Sequence, residues 1–215
     1  MAESHPLLDM FLDAADGRFP TADGRTTVLP PLPGGLECSV AFTGHAVIAT
    51  ALSASDVQAQ GPDGYGASLA PDFLRHLAGR DGWIGSLDAI LVARGAPAAG
   101  RLPERRDADD HPRVRHARAL RTDVRVHGDE RGLVTLADGL AGRREISVEL
   151  NRPGSGEAGQ GRSLLRDALA LLPAGEPVFA AVAPGNARSL RAFLAAGYTP
   201  LGSEVIIRPQ RPASG

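Results

Sequence analysis

The sequence predicts the α/β class, with helices laid on a sheet and an α+β extension at the N-terminal end, from three observations. Arg144 to Leu150 (REISVEL) alternates polar and apolar residues as a strand does, and Leu164, Leu165, Ala168, Leu169 and Leu172 recur at helical spacing. Between them lies Gly154-Ser-Gly-Glu-Ala-Gly-Gln-Gly161, so the segment reads strand, glycine-rich loop, helix. Two further pairs of alternating runs are joined by tight turns, one at Thr43-Gly44 and one at Gly128 to Arg131.

The elements follow in order. His5 to Asp16 carries Leu7, Leu8, Phe11 and Leu12 on one helical face and stops at Gly17. Residues 18 to 36 are rich in Pro and Gly and read as loop; Glu37 to Thr43 and His45 to Thr50 read as two strands. Ser55 to Ala70 is polar and without periodicity, whereas Pro71 to Leu77 suits a short helix with Pro in its first turn. Ser86 to Arg94 is a strand, followed by a Gly/Pro/Ala linker and a charged run to Asp110. Pro112 to Leu120 is an arginine-rich helix, and Thr122 to His127 with Gly132 to Ala137 is a hairpin that leads into the strand before the glycine loop. After the helix, Val178 to Ala183 is an apolar strand. Asn186 caps a helix with Leu190, Phe193 and Leu194 on its apolar face and Gly197 at its end. Glu204 to Arg208 is the last strand. The expected organisation is an extension over 1–85, a second domain over 86–209 with its linker at 95–112, and a disordered tail over 210–215.

Composition narrows the function. Net charge of −2 argues against a general nucleic-acid binder, and no apolar run approaches the length of a membrane span. One cysteine, Cys38, leaves no intrachain disulfide and no zinc cluster. All 23 basic residues are arginine, which reads as GC-rich bacterial coding and removes lysine Schiff-base and P-loop lysine chemistry. The N-terminus lacks a basic region followed by an apolar core, so a cytoplasmic location is expected.

A glycine-rich turn at a helix start collects backbone N–H groups and the positive end of the helix dipole, a combination suited to phosphate. Three ligands are compatible with the loop. Gly154, Gly156 and Gly159 spell the dinucleotide fingerprint G-x-G-x-x-G, but the next strand ends in Ala183-Pro184 without the ribose-binding acid. Gly156 to Ser163 approaches the nucleotide P-loop, with arginine where its lysine belongs. The third reading rests on two motifs in order. Gly159-Gln160-Gly161, followed after one helix and one strand by Asn186-Ala-Arg-Ser-Leu-Arg-Ala-Phe-Leu-Ala-Ala-Gly197-Tyr198, resembles the GNAT superfamily of acyl-CoA-dependent N-acyltransferases over about residues 121–208.

That resemblance implies a mixed, mostly antiparallel sheet flanked by helices, with acetyl-CoA as donor. It places the coenzyme pyrophosphate on the N–H groups of Glu157, Ala158, Gly159, Gln160, Gly161 and Arg162. The pantetheine arm lies between the strand ending at Val148 to Leu150 and its neighbour at 178–183, with Asn186 hydrogen-bonded to it and Ser189 and Phe193 on the helix against the coenzyme's thiol end. The backbone at Leu150 faces the thioester. Two positions depart from the family pattern: Gly156 stands where Gln or Arg often contacts phosphate, and Phe193 stands where many members carry the tyrosine that protonates the departing thiolate.

Acyl transfer to an amine also needs a base. Glu145, Ser147 and Glu149 share one strand face, and Glu149 is the leading candidate for a water-mediated base; the simpler expectation is that both glutamates are solvated. His127 at a strand end can titrate near neutrality but reads by default as a loop residue. His111 and His116 with Asp107, Asp109 and Asp110 fit no defined metal spacing, so no metal is expected. Arg113, Arg115, Arg118, Arg121 and Arg125 read as a solvated face, Cys38 as a small buried residue and Trp83 as core cover or pocket lining. The expected activity is transfer of an acetyl group to an amine of a small molecule or protein, by a monomer or homodimer with no nucleic-acid or membrane partner; the alternative is a GNAT-like module that binds acyl-CoA without turning it over.

Overall fold

In the computed structural model, residues 4–97, 102–151 and 159–211 are described. The fold is mixed α/β with mostly antiparallel strand pairing, and the chain divides into two compact units: residues 1–90 with 201–215, and residues 91–200. Residues 201–209, which sequence patterning grouped with the second domain, fall in the first unit, because the division cuts the last strand near its start.

The first unit begins with helix α1 (Pro6–Ala15), capped by the imidazole of His5, which accepts from the Leu7 N–H. Strand β1 (Thr26–Leu29) lies inside the stretch read as loop; its four residues are too few and too close to Pro30 and Pro31 for alternation to show. Strands β2 (Glu37–Phe42) and β3 (His45–Ala49) form the expected hairpin, and β1 runs parallel to β3. Helix α2 (Ala54–Gln58), capped by Ser53, occupies part of the region without periodicity: five residues are too few for a period. Helix α3 (Pro71–Ala78) and strand β4 (Trp83–Ile84) follow, and strand β5 (Asp88–Arg94) crosses into the second unit. The last strand, β10 (Thr199–Arg208), pairs antiparallel with β2 and β4, giving the order β1-β3-β2-β10. Ile48, Val205 and Ile207 on one face pack against Val57 of α2 and Phe73, Leu74 and Leu77 of α3. On the other face Phe42 meets Phe11 of α1, ring centroids 6.0 Å apart.

This unit is tied at its end. Glu37, almost fully buried on β2, accepts from Thr50 Oγ1 at 2.7 Å, from the Ala51 N–H at 2.9 Å and from both terminal nitrogens of Arg211. Arg211 also donates to the Leu77 carbonyl, and the Gln210 N–H donates to Ala78 at 2.8 Å. Residues 210 and 211, expected in a disordered tail, are therefore bonded to the unit; 212–215 lie outside the described residues.

In the second unit, helix α4 (Pro112–Leu120) precedes strands β6 (Thr122–Asp129), β7 (Gly132–Asp138) and β8 (Arg144–Leu150). Helix α5 (Gln160–Leu169) leads to strand β9 (Pro177–Val182), and helix α6 (Ala187–Ala195) leads toward β10. Strand order is β9-β8-β7-β6, with the end of β5 beside β9. Ile146, Val134 and Leu136 pack under Leu164, Leu165, Ala168 and Leu169 of α5 and Phe193 of α6. The opposite face carries Val126 and Leu133, covered by Val114 of α4. The expected linker contributes here: Leu102 is buried, and Glu104 bridges to His127 across a short strand pairing. Among the described residues no helix is long and apolar enough to cross a membrane.

Candidate functional site

The site is built where β8 ends and α5 begins. All seven residues of β8 are in antiparallel register with β7, from Gly132 opposite Leu150 to Asp138 opposite Arg144. The parallel pairing of β8 with β9 is confined, among the described residues, to Glu145 opposite Phe179. Past that pair, among the described residues, Ile146 to Leu150 have no register partner in β9.

Side-chain alternation then sorts the predicted residues. Ile146, Val148 and Leu150 face α5, while Glu145, Ser147 and Glu149 face α4. Gly159 begins α5 with φ of +100°, a backbone state that L side chains rarely adopt, and as N-cap it brings no side chain to satisfy the first N–H groups. The first backbone bond into the helix runs from the Ser163 N–H to the Gly159 carbonyl at 2.9 Å, so the N–H groups of 160–162 precede the ladder. Gly161 holds the neighbouring elements close: a Cβ there would meet Ala192 of α6 at 3.5 Å and Leu150 of β8 at 3.7 Å. The end of β8, the start of α5 and the middle of α6 thus converge. Glu157 and Ala158, together with Gly154 and Gly156, lie outside the described residues.

Helix α5 is latched from outside. Arg131, in the β6–β7 turn, donates to Asp129, to Ser163 Oγ at 3.0 Å and to Asp167 at 2.6 Å. Its hydrogen bond with Asp129 outweighs partial burial, and holds the guanidinium above and the Asp129 carboxyl below their ordinary ranges. Arg162 is solvent-exposed on the first turn of α5.

On α6, Asn186 is the expected N-cap, its Oδ1 accepting from the Ser189 N–H at 3.1 Å. Ser189 is half-buried one turn on. Phe193 is buried and meets Tyr198 edge-on, centroids 4.9 Å apart. The Tyr198 phenol, 2% exposed, has no hydrogen-bond partner among the described residues, and burial pushes it up.

Glu149 is not brought to this place. Its side chain is 44% exposed and paired with Arg113 of α4 at 3.0 Å, on the sheet face away from α5. Glu145, expected to be solvated, is buried instead. Burial alone would raise its carboxyl, but the charges of Arg143 and Arg121, the Arg121 hydrogen bond at 2.6 Å and the Leu140 N–H bring it down to about 2. Arg143 is also buried, its guanidinium 5.3 Å from the Phe179 ring centroid. The sequence signal for this cluster was Arg143-Arg144-Glu145 at a strand start, too common to point inward.

Several of the remaining candidates are engaged in other contacts. His111 caps α4 by accepting from the Arg113 N–H, Asp107 pairs with Arg105 and Asp109 with Arg118. His127 Nδ1 lies 3.3 Å from the Leu102 carbonyl, and Cys38 is buried in β2. Trp83 is exposed on β4. No group of three or more metal-ligating side chains occurs among the described residues.

No protein-family model matches the chain, and no curated protein matches it. Among solved structures it is similar to an acetyltransferase of the GNAT family from Colwellia psychrerythraea, at 9% identity and a TM-score of 0.39, over 60% of this chain. The chain spans 57% of that structure's length. It is also similar to a functionally unknown conserved protein from Staphylococcus epidermidis ATCC 12228, at 15% identity and a TM-score of 0.35, over 64% of this chain and 66% of the other. At these scores neither defines a fold or an activity for this chain.

Proposed function

We propose that the second unit binds acyl-CoA where β8 runs without a register partner in β9, and transfers an acetyl group to an amine. The observation that carries this reading is the strand pair itself: β8 keeps its full ladder with β7 but, among the described residues, has no register partner in β9 after Glu145 and Phe179. Unpaired backbone in the middle of a sheet must find other partners. An amide-bearing pantetheine arm supplies them as a strand would, and α5, the next helix after β8, turns its N-terminal N–H groups toward the phosphates.

In this reading Val148 and Leu150 line the arm, the Leu150 backbone polarises the thioester carbonyl, and Gly159 to Arg162 hold the pyrophosphate. The nitrogen of the acceptor attacks the carbonyl carbon, the C–S bond breaks, and the amine proton leaves to solvent or through water. Glu149, tied to Arg113 on the far face, does not serve as base.

A second reading has its own observation. Phe193 has no hydroxyl for the departing thiolate and is buried against Tyr198, which favours a unit that binds acyl-CoA without transfer.

Calorimetric titration with acetyl-CoA, and with NAD and ATP as controls, tests the shared premise; micromolar affinity for acetyl-CoA alone is expected. Absence of binding, or tighter binding of NAD, overturns both readings. Turnover with a panel of amines then separates them. If Phe193→Tyr raises turnover with unchanged acetyl-CoA affinity, the acid position was vacant in a working enzyme; no turnover in either form selects the binding module.

A further inference from the structure

The first unit holds a chain of three side chains that acyl-CoA binding does not use. Asp23 Oδ1 lies 2.9 Å from His45 Nδ1, and His45 Nε2 lies 2.9 Å from Thr27 Oγ1. Thr27 and His45 stand on the same face of adjacent strands, because the parallel register sets Thr27 beside Val47, two residues from His45. The imidazole is nearly enclosed, at 8% exposure, whereas Thr27 is half-buried and the Asp23 side chain is 35% exposed.

Chemistry fixes the direction of this chain. An ionised carboxylate only accepts, so in the neutral imidazole Nδ1 carries the proton and Nε2 offers a lone pair. The Thr27 hydroxyl must then donate to Nε2. Nucleophile to base and base to orienting carboxylate are both within hydrogen-bond reach, as an activated hydroxyl requires. The hydrogen bond from His45, with a second from the Arg25 N–H at 2.9 Å, keeps the Asp23 carboxyl below its ordinary range.

The backbone around the carboxylate is clamped. The Gly24 N–H donates to Gly44 at 2.9 Å and the Gly64 N–H to Gly24 at 3.0 Å. A Cβ on Gly64 would stand 2.5 Å from the Gly44 carbonyl oxygen, and one on Gly44 would stand 2.7 Å from Ala22 Cβ. The loop bearing Asp23 is therefore fixed against the turn that precedes His45. A hydrogen bond serving only to tie two strands needs no carboxylate behind the imidazole and no such clamp. Tyr65, 73% exposed, lays its ring against Gly24 and gives the loop an aromatic wall.

We infer that Thr27 is a nucleophile activated by His45 and oriented through Asp23, and that the first unit hydrolyses small neutral carboxylic esters. Thr27 Oγ bonds to the ester carbonyl carbon as its proton passes to His45 Nε2. The alkoxide leaves with that proton as the ester C–O bond breaks. Water, deprotonated by the same nitrogen, then cleaves the acyl-Thr27 bond, releases the acid and restores the hydroxyl. A neutral substrate suits the exposed carboxylate beside the site, and a small one suits the half-buried hydroxyl.

The test uses the full chain with a fluorophosphonate probe and p-nitrophenyl acetate. Peptide mass spectrometry is expected to place the phosphonyl group on Thr27, with loss of fluoride. Thr27→Val is expected to abolish the label, and His45→Gln and Asp23→Asn to slow p-nitrophenol release by about 100-fold or more. Thr27→Ser keeps the hydroxyl and is expected to keep the label, with melting curves separating loss of chemistry from loss of fold. A wild-type protein unlabelled at Thr27, folded Thr27→Ser without label, or undiminished release by Thr27→Val overturns the inference.

Discussion

Glu145 sits in an alternating strand where a solvated carboxylate would be unremarked, yet it is enclosed between Arg121 and Arg143. Gly139 makes room for it, since a Cβ there would stand 2.1 Å from the carboxyl carbon. The consequence is a loss of stability in acid. The folded carboxyl titrates near 2 against an ordinary 4.5, so its contribution is complete above pH 4.5 and is lost as pH falls from there through 2. Urea unfolding of wild type and Glu145→Gln should show the variant weaker near neutrality by ~3–5 kcal/mol, because Arg143 loses its buried partner. Below pH 4 the gap should close; parallel stability curves down to pH 2 would remove Glu145 as the cause. Single residues were the least legible scale in the sequence. Asn186 as cap and Phe193 as core could be read, because both follow from helix periodicity. The Glu145 cluster and the Asp23–His45–Thr27 chain could not, because each depends on strands whose pairing no local pattern specifies.

At the scale of elements, α5 is defined by what its first turn tolerates. Gly159 holds φ of +100°, so Gly159→Ala should cost ~1–2 kcal/mol through backbone strain. Gly161 has no such constraint, and an added methyl meets Ala192 and Leu150 at ordinary contact distance. Gly161→Ala should therefore be neutral or stabilising by up to ~1 kcal/mol. Thermal melts of the two variants decide this, and equal losses would show that the close approach to α6, rather than the turn, governs the site. Long periodic elements were readable: α1, α3, α4, both hairpins and β8 stand within a few residues of where their patterns place them. The short ones were not. Strand β1 and helix α2 gain their structure from a neighbouring strand and from an apolar face that Val28 and Val57 only enter once folded.

For the whole molecule, the decisive feature is that the first unit is discontinuous in sequence, drawing β10 and Arg211 from the far end of the chain. Composition marked residues 95–112 as a boundary, but no local signal showed that the chain would return to β2 at its end. Arg211→Met keeps much of the stem and removes the donors to Glu37, leaving a buried carboxylate at a cost of ~3–5 kcal/mol. The double variant Glu37→Gln, Arg211→Met should recover part of that loss, and purely additive denaturant midpoints would show that the pair is not coupled. Synthesis adds a consequence in time. Chains emerge at ~5–20 residues per second, and domains ordinarily fold in the order they are made. Residues 91–200 must be produced before β2 can receive β10, so residues 1–90 are made before that segment and completed after it. For on the order of ten seconds the nascent protein carries an open β2 edge and a Glu37 carboxylate still without its arginine. This is the interval in which a chaperone would be most useful to it.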